Sequence, residues 1–422
     1  MKTRSLLLFV LMYVCMIAWP RHRPLYALAM ALLFLVLGVL PPEHLLVTIN
    51  WNVLMMIAGT MVIVFFFIES QMPNLLADLL LARSKNVMWV TIYMSLFSGL
   101  ISAFIDNVAT VLMVAPVALA VRRKLKIDPT NMILSIAISS NLQGAATLVG
   151  DTTSILLGDY ANMTFLDFLW MRGRPGIFFA VELGALATVL IMMVLFRTDR
   201  EPVSAGERTV VRDLVPTGLL LLMVAALIGA SFLPNAPAAL NGMICCVLAL
   251  AAMAMDTLRS RSPKASLAAL RELDFETLGL LLGLFVVIGG LTRVGVIDDF
   301  ATWIVKLGGR SVFLLYTIVV WGSVLLSAFI DNIPYVATML PVLTVVADTL
   351  GMEPYLLYFG LLSGATLGGN ITPIGASANI AAVGLLRKEG REVTFRQFMR
   401  IGVPYTLAAV LVGYAFIWFV WA

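Results

Sequence analysis

Ser102-Ala103-Phe104-Ile105-Asp106-Asn107 and Ser327-Ala328-Phe329-Ile330-Asp331-Asn332 are the same six residues, 225 positions apart, each inside a long apolar run. Each carries an ionisable carboxylate to where hydrocarbon would surround it. A charged side chain at membrane depth costs at least about 2.5–3.5 kcal/mol on insertion scales, so an acid placed there twice reads as functional. The Asp-Asn pair is also a good N-cap for a helix starting near Val108 or Ile333. Asn or Ser would cap as well without a carboxylate's desolvation cost.

The bulk numbers agree with a membrane setting. Of 422 residues 61% are hydrophobic and 12% charged, with a mean hydropathy of +0.99, against about 45–50% apolar and about 25% charged in a soluble domain. The pI of ≈ 9.0 reflects cytoplasmic loops rich in Lys and Arg, not a nucleic-acid partner. Cys15, Cys245 and Cys246 have neither a disulfide framework nor metal-ligand spacing. The first apolar run ends in Trp-Pro-Arg-His-Arg without a small-residue cleavage site, so it reads as a retained helix.

Spanning helices need about 20 apolar residues. Ten candidates lie near 5–19, 25–40, 53–70, 131–158, 176–196, 214–233, 238–256, 276–293, 353–386 and 401–421. The segments 131–158 and 353–386 are too long and are interrupted by Gly, Pro and polar residues, so they read as broken helices. The motif copies sit in 87–121 and 311–350. Continuously helical, each would run to about 52 Å, too long for one straight span and too short for two with a turn. A re-entrant hairpin with its tip at Asp-Asn fits, because broken backbone at membrane depth is tolerated where it is buried or lines a cavity.

The repeat extends beyond the motif. At the same offset Pro116 falls on Pro341, Gly144 on Gly369, Thr147 on Thr372 and Gly150 on Gly375; one residue less aligns Gly59 with Gly283. Without the hairpins, ten spans divide into five per half, and an odd number inverts one repeat against the other, the signature of secondary transporters. The expected fold is therefore an all-α polytopic membrane protein of two inverted-topology repeats, each with a re-entrant hairpin and a broken helix. The first repeat is 1–196, the second 214–422, and 197–213 is a polar, flexible cytoplasmic linker. On this layout 21 of the 28 Lys and Arg residues, among them Arg21, Arg23, Lys126 and Arg208, fall on one side. The positive-inside rule makes that side cytoplasmic and places both termini outside. Arg310 is among the few cations on the other side.

The chemistry gathers at the hairpin tips and the broken helices. Asp106 and Asp331 are the candidate switchable charges, binding a proton or cation where half-helix ends converge. Asn107, Asn332, Thr147, Thr372, Asn370 and Asn379 are candidate neutral ligands. Thr110, Asn141, Gly150, Asp151, Thr338, Gly375 and Ser377 complete the expected site. Such small polar residues also serve as plain helix-packing positions. No cofactor and no resident metal are expected beyond Na⁺ at the hairpin tips.

The two motif copies, the Ala-Thr-Leu-Val-Gly-Asp run at 146–151 and Gly-Gly-Asn-Ile-Thr-Pro-Ile-Gly-Ala-Ser-Ala-Asn at 368–379 resemble the ion transporter superfamily. The resemblance is nearest to the arsenite-permease and NhaD-type antiporter group, which includes P protein, and more distant to the divalent anion–sodium symporters. It implies a mobile transport domain, a scaffold, an elevator motion and often a homodimer. The superfamily tips read Ser-Asn-Thr, whereas here Asp106-Asn107-Val108 and Asp331-Asn332-Ile333 stand. Two added acids would repel a di- or tricarboxylate unless cations or protons neutralised them.

The expected function is secondary active transport in the inner or plasma membrane, coupled to H⁺ or Na⁺. The cargo is a small inorganic ion or arsenite-like oxyacid, or Na⁺ exchanged for H⁺. A Na⁺-coupled di- or tricarboxylate symporter is the alternative. An intramembrane aspartyl protease would pair the two acids as a dyad, but the Gly-x-Gly-Asp context is absent. A channel is a third option. No nucleotide-binding loop is present to drive a pump.

Overall fold

The computed structural model describes residues 1–19, 22–125, 128–203, 209–233, 237–309 and 311–422, without the side chains of 120–125. Arg21, Lys126, Arg208 and Arg310 thus lie outside the described residues.

Among the described residues the structure is mostly helical, with one small hairpin of β1 (Trp170–Met171) against β2 (Arg174–Pro175). Helices α1 (Lys2–Ala18), α2 (Arg23–Val36) and the single turn α3 (Leu45–Thr48) come first. Then follow α4 (Trp51–Glu69), α5 (Met72–Arg83), α6 (Val87–Ser102), α7 (Asn107–Leu125), α8 (Thr130–Gln143), α9 (Thr152–Tyr160) and α10 (Ile177–Leu195). The second half opens with α11 (Val215–Ala230), α12 (Leu240–Ser260) and the short α13 (Lys264–Arg271). It continues with α14 (Phe275–Arg293), α15 (Val296–Gly308), α16 (Val312–Ser327), α17 (Asn332–Leu350), α18 (Tyr355–Gly368), α19 (Ser377–Lys388) and α20 (Phe395–Trp421).

The repeat holds in detail. α6 and α16 stop at the motif serine, and α7 and α17 start at its asparagine, each with its proline inside, Pro116 and Pro341. The segments read as broken helices are α8–α9 and α18–α19. Each break is a 3-10 turn, Gly144–Ala146 or Gly369–Ile371, followed by an extended threonine, Thr147 or Thr372. α5 and α15 are equivalent helices that the sequence reading did not contain, since 12 and 13 residues are too few to register as spans. Each starts from a left-handed residue, Gln71 at φ 64° and Gly295 at φ 77°.

Among the described residues, six helices are long and apolar enough to cross a membrane: α4, α10, α12, α14, α17 and α20. The other expected spans are shorter. α1, α2 and α11 have 17, 14 and 16 residues, and short apolar helices are accommodated by bilayer thinning and flanking side chains. The linker is less free than expected where it is described. Asp199 O and Glu201 O accept from the N–H groups of Met88 and Val87 at 2.8 and 3.1 Å, and Asp78 Oδ2 accepts from Thr209 N at 2.7 Å.

The halves interlock. α4 of the first repeat packs on α12 of the second, and α14 packs on α2. Both contacts depend on a glycine: a Cβ at Gly59 would stand 2.5 Å from the backbone carbon of Cys245, and one at Gly283 would stand 2.5 Å from that of Ala27. α1 and α11 flank this group. The hairpins, the broken helices, α10 and α20 pack among themselves, with α6 on α8, α16 on α18 and α10 on α20.

Gly283→Val and Gly59→Val should therefore force the helix pairs apart and cost about 1–3 kcal/mol or more. The readout is a lower midpoint of thermal unfolding in detergent. Gly322→Ala, where an added Cβ meets nothing within 4 Å, should leave the midpoint unchanged or raise it.

Candidate functional site

Both hairpin tips are built alike. Asp106 Oδ1 accepts from Val108 N at 2.9 Å and Ala109 N at 3.1 Å. Asp331 Oδ1 accepts from Ile333 N at 3.1 Å. The acids do act as caps, but capping uses one oxygen of each. Behind each tip the facing threonine is bonded to a hairpin carbonyl, Thr147 Oγ1 to Ala103 O and Thr372 Oγ1 to Ala328 O. The glycine three residues later fits where no side chain could. A Cβ on Gly150 would lie 2.6–2.8 Å from the carbonyl oxygens of Gly144, Ser102 and Ala103, and one on Gly375 would lie 2.6–2.9 Å from those of Gly369, Ser327 and Ala328. Ser154 Oγ donates to Gly144 O at 3.2 Å, and Asn379 Nδ2, its equivalent, donates to Gly369 O at 2.9 Å.

A chain of amides crosses between the repeats. Asn107 Nδ2 donates to Asn141 Oδ1 at 2.9 Å. Asn141 Nδ2 donates to Thr366 O at 2.7 Å and lies 3.0 Å from Asn370 Oδ1. Asn370 Nδ2 donates to Ile138 O at 3.0 Å. Asp151 caps α9 through Thr152 N at 2.8 Å, accepts from Thr153 Oγ1 at 2.6 Å, and is reached by Asn332 Nδ2 at 3.5 Å. The equivalent position in the second repeat is Ala376, so this acid is present once.

A cavity of about 350 Å³ opens beside the first tip. Of the expected site, it brings together Asp106, Asn107, Gly150, Asp151, Asn332 and Ser377. Thr110, Asn141, Thr147, Asn370, Thr372, Gly375 and Asn379 do not line it; they brace the breaks. Thr110 Oγ1 bonds back to Asp106 O at 2.9 Å. Asp331 and Thr338 stand elsewhere: Arg23 Nη1 donates to Asp331 Oδ2 at 2.7 Å, and Thr338 Oγ1 lies 2.8 Å from Tyr13 Oη.

Three lining groups escaped the sequence reading. One is the α4 face with Thr60, Met61 and Phe65. The others are Asp274 with Thr277 at the start of α14, and Glu272 just before it. Asp274 was readable as the N-cap of α14, which it is, through Thr277 N at 2.9 Å; its position beside Asp106 depends on the fold. The lining therefore carries Asp106, Asp151, Glu272 and Asp274, and no Lys, Arg or His stands among the described lining residues.

Fold and site together define a multi-pass membrane transporter of the hairpin-and-broken-helix type. A profile of the citrate transporter family matches residues 13–270 and 242–422, and the chain belongs to that family. It is 29% identical to an uncharacterized transporter of Mycobacterium tuberculosis over 430 residues, covering 99% of this chain and 98% of that one. A 46 kDa membrane protein of Mycobacterium leprae is 30% identical over 433 residues, with coverage of 99% and 98%. Human P protein is 25% identical over 484 residues, 94% of this chain and 57% of its own. The crystal structure of the YdaH transporter of Alcanivorax borkumensis shares the fold, with a TM-score of 0.57 at 16% identity over 87% of this chain and 84% of that one. The superfamily that the motifs point to is thus shown.

Thr147→Val and Thr372→Val would each leave a buried hairpin carbonyl without its donor, at about 1–3 kcal/mol. Each should lower the unfolding midpoint, and Thr→Ser at the same position should restore it.

Proposed function

We propose that this chain is a secondary active transporter whose cargo passes through the acid-lined cavity, with H⁺ or Na⁺ as the coupling ion. The lining carries this reading. Four carboxylates without a lining cation disfavour a bare polyanion. They suit a cation, a proton, a neutral oxyacid of the arsenite kind, or an anion that enters with its charge cancelled. Exchange of a small inorganic ion, including Na⁺ against H⁺, is the first reading.

The second is symport of a di- or tricarboxylate, favoured by the citrate transporter profile. In this cavity such an anion would travel with the cations that neutralise it.

The motion we propose is of the elevator kind. The hairpins, broken helices, α10 and α20 move as one body against α1, α2, α4, α11, α12 and α14, which the Gly59 and Gly283 contacts clamp together. We further place the chain in the inner or plasma membrane, with both termini outside and as a homodimer. Its cavity then opens to the cytoplasm, because Glu272 and Asp274 adjoin the Arg-rich loop after α12.

Purified protein in proteoliposomes, screened with Na⁺, arsenite, phosphate, sulfate and di- and tricarboxylates against imposed pH and Na⁺ gradients, should show saturable coupled flux of one class. Asp106→Asn and Asp151→Asn should each reduce that flux by about tenfold or more, the scale of losing a charge-assisted ligand, without loss of monodispersity. Wild-type coupling in both variants would end the carboxylate role. A second measurement separates the readings: carboxylate uptake that rises with added cation supports neutralised co-transport, and uptake that falls supports competition for the acids.

A further inference from the structure

The two motif carboxylates are equivalent in sequence and partnered differently. Asp106 faces the cavity, and no Lys, Arg or His pairs with it among the described residues. Asp331 is 5% exposed and its Oδ2 holds Arg23, itself 13% exposed, at 2.7 Å. Beside this pair Tyr13 Oη donates to Pro334 O at 2.7 Å. The space left among Tyr13, Arg23, Asp331 and Pro334 is only about 10 Å³, at most one water. α1 and α2 thus close tightly on the second tip, while the first stands open.

The pseudo-symmetry identifies what Arg23 would correspond to. α2 lies on α14 as α12 lies on α4. The close contacts pair Ala27 with Cys245, and Pro24, beside Gly279, with Gly242, beside Met55. One residue before Pro24 is Arg23, and one residue before Gly242 is Asn241. The mirror position of the cation is an amide.

We propose that Arg23 is a positioning residue, a built-in counter-ion for Asp331 that latches the transporter in the orientation seen here, whereas Asp106 must take its counter-charge from solution. When the moving body shifts to the opposite orientation, Asp331 leaves Arg23, and Asp106 comes to face Asn241, which supplies no charge. The resting equilibrium is therefore biased to the present orientation by a side chain on the static helices. This rests on the alternating motion proposed above.

The test is a reporter cysteine, Met61→Cys in the cavity wall, in a background with Cys15, Cys245 and Cys246 replaced by Ala, probed with a membrane-impermeant maleimide from either side of sealed vesicles. Arg23→Gln should lower labelling from the cavity-open side by about tenfold relative to the parent, the population change expected when one of two states loses a fixed ion pair. Arg23→Lys should restore it, and so should Arg23→Gln with Asp331→Asn, which removes the abandoned charge. Asn241→Arg, which disturbs no existing pair, should shift labelling in the same direction as Arg23→Gln by creating the mirror latch. If the parent alternates with the cargo gradient but neither Arg23→Gln nor Asn241→Arg moves the ratio, the latch is wrong and the transport reading stands. A parent labelled from one side under every gradient overturns the alternating motion and the latch with it.

Discussion

A helix that stops inside a bilayer exposes carbonyl and N–H groups that no water reaches, each costing several kcal/mol if left alone. Four helices stop that way here, and most of the polar residues near the midpoint answer that need. Thr147 and Thr372 donate to the carbonyl just past a hairpin's first helix. Ser327 Oγ donates across to Ala365 O at 2.6 Å, and Ser140 Oγ to Asn107 O at 3.0 Å. Gly150 and Gly375 let three carbonyls crowd one Cα. The bonds run between hairpin and broken helix, so they also weld these parts into one body. The elevator motion proposed above requires such a body, one that keeps its shape as it moves.

The acids show where structure ends and chemistry begins. One oxygen of each motif aspartate is consumed by capping, a task that needs no charge. What remains is a second oxygen that the fold treats oppositely in the two copies: buried against a guanidinium at Asp331, set on a cavity at Asp106. Removing one partner of a buried pair is strongly destabilising, about 3–5 kcal/mol, because the other charge is stranded. That is why Asp331 cannot simply be read as a second free binding site.

Much of this was legible in the sequence because polar residues stand out in an apolar chain and recur at one offset. The hairpins, their tips and the two breaks fall where the repeat places them. The same signal could not separate ligands from braces. Thr147 bonding a carbonyl and Ser377 lining the cavity have equal weight in one dimension, because hydroxyl and amide groups serve both ends. Arg23 was counted among loop cations, which its neighbours Trp19 and His22 encourage; its partner lies 308 residues away. Glu272 and Asp274 follow the basic stretch Arg259–Arg271 in sequence, and nothing in one dimension sets them beside Asp106. α5 and α15 were invisible because helices of 12 and 13 residues are too short to register as spans.

The interlocked packing explains why such distant residues meet. Because α2 of the first half packs on α14 of the second, Arg23 and Tyr13 reach the second hairpin tip from the other half of the chain, whereas the first tip faces α4 of its own half and the start of α14. The repeat makes the close glycine contacts of the two halves nearly identical, 2.5 Å at Gly59 and at Gly283. Nothing in that framework prefers one side. Under the proposed latch, preference enters through side chains that break the repeat: Arg23 where Asn241 is its counterpart, Asp151 where Ala376 is. What the repeats share is the backbone framework of hairpin and break; what they do not share, at Arg23 and Asp151, is the charge set around the two tips.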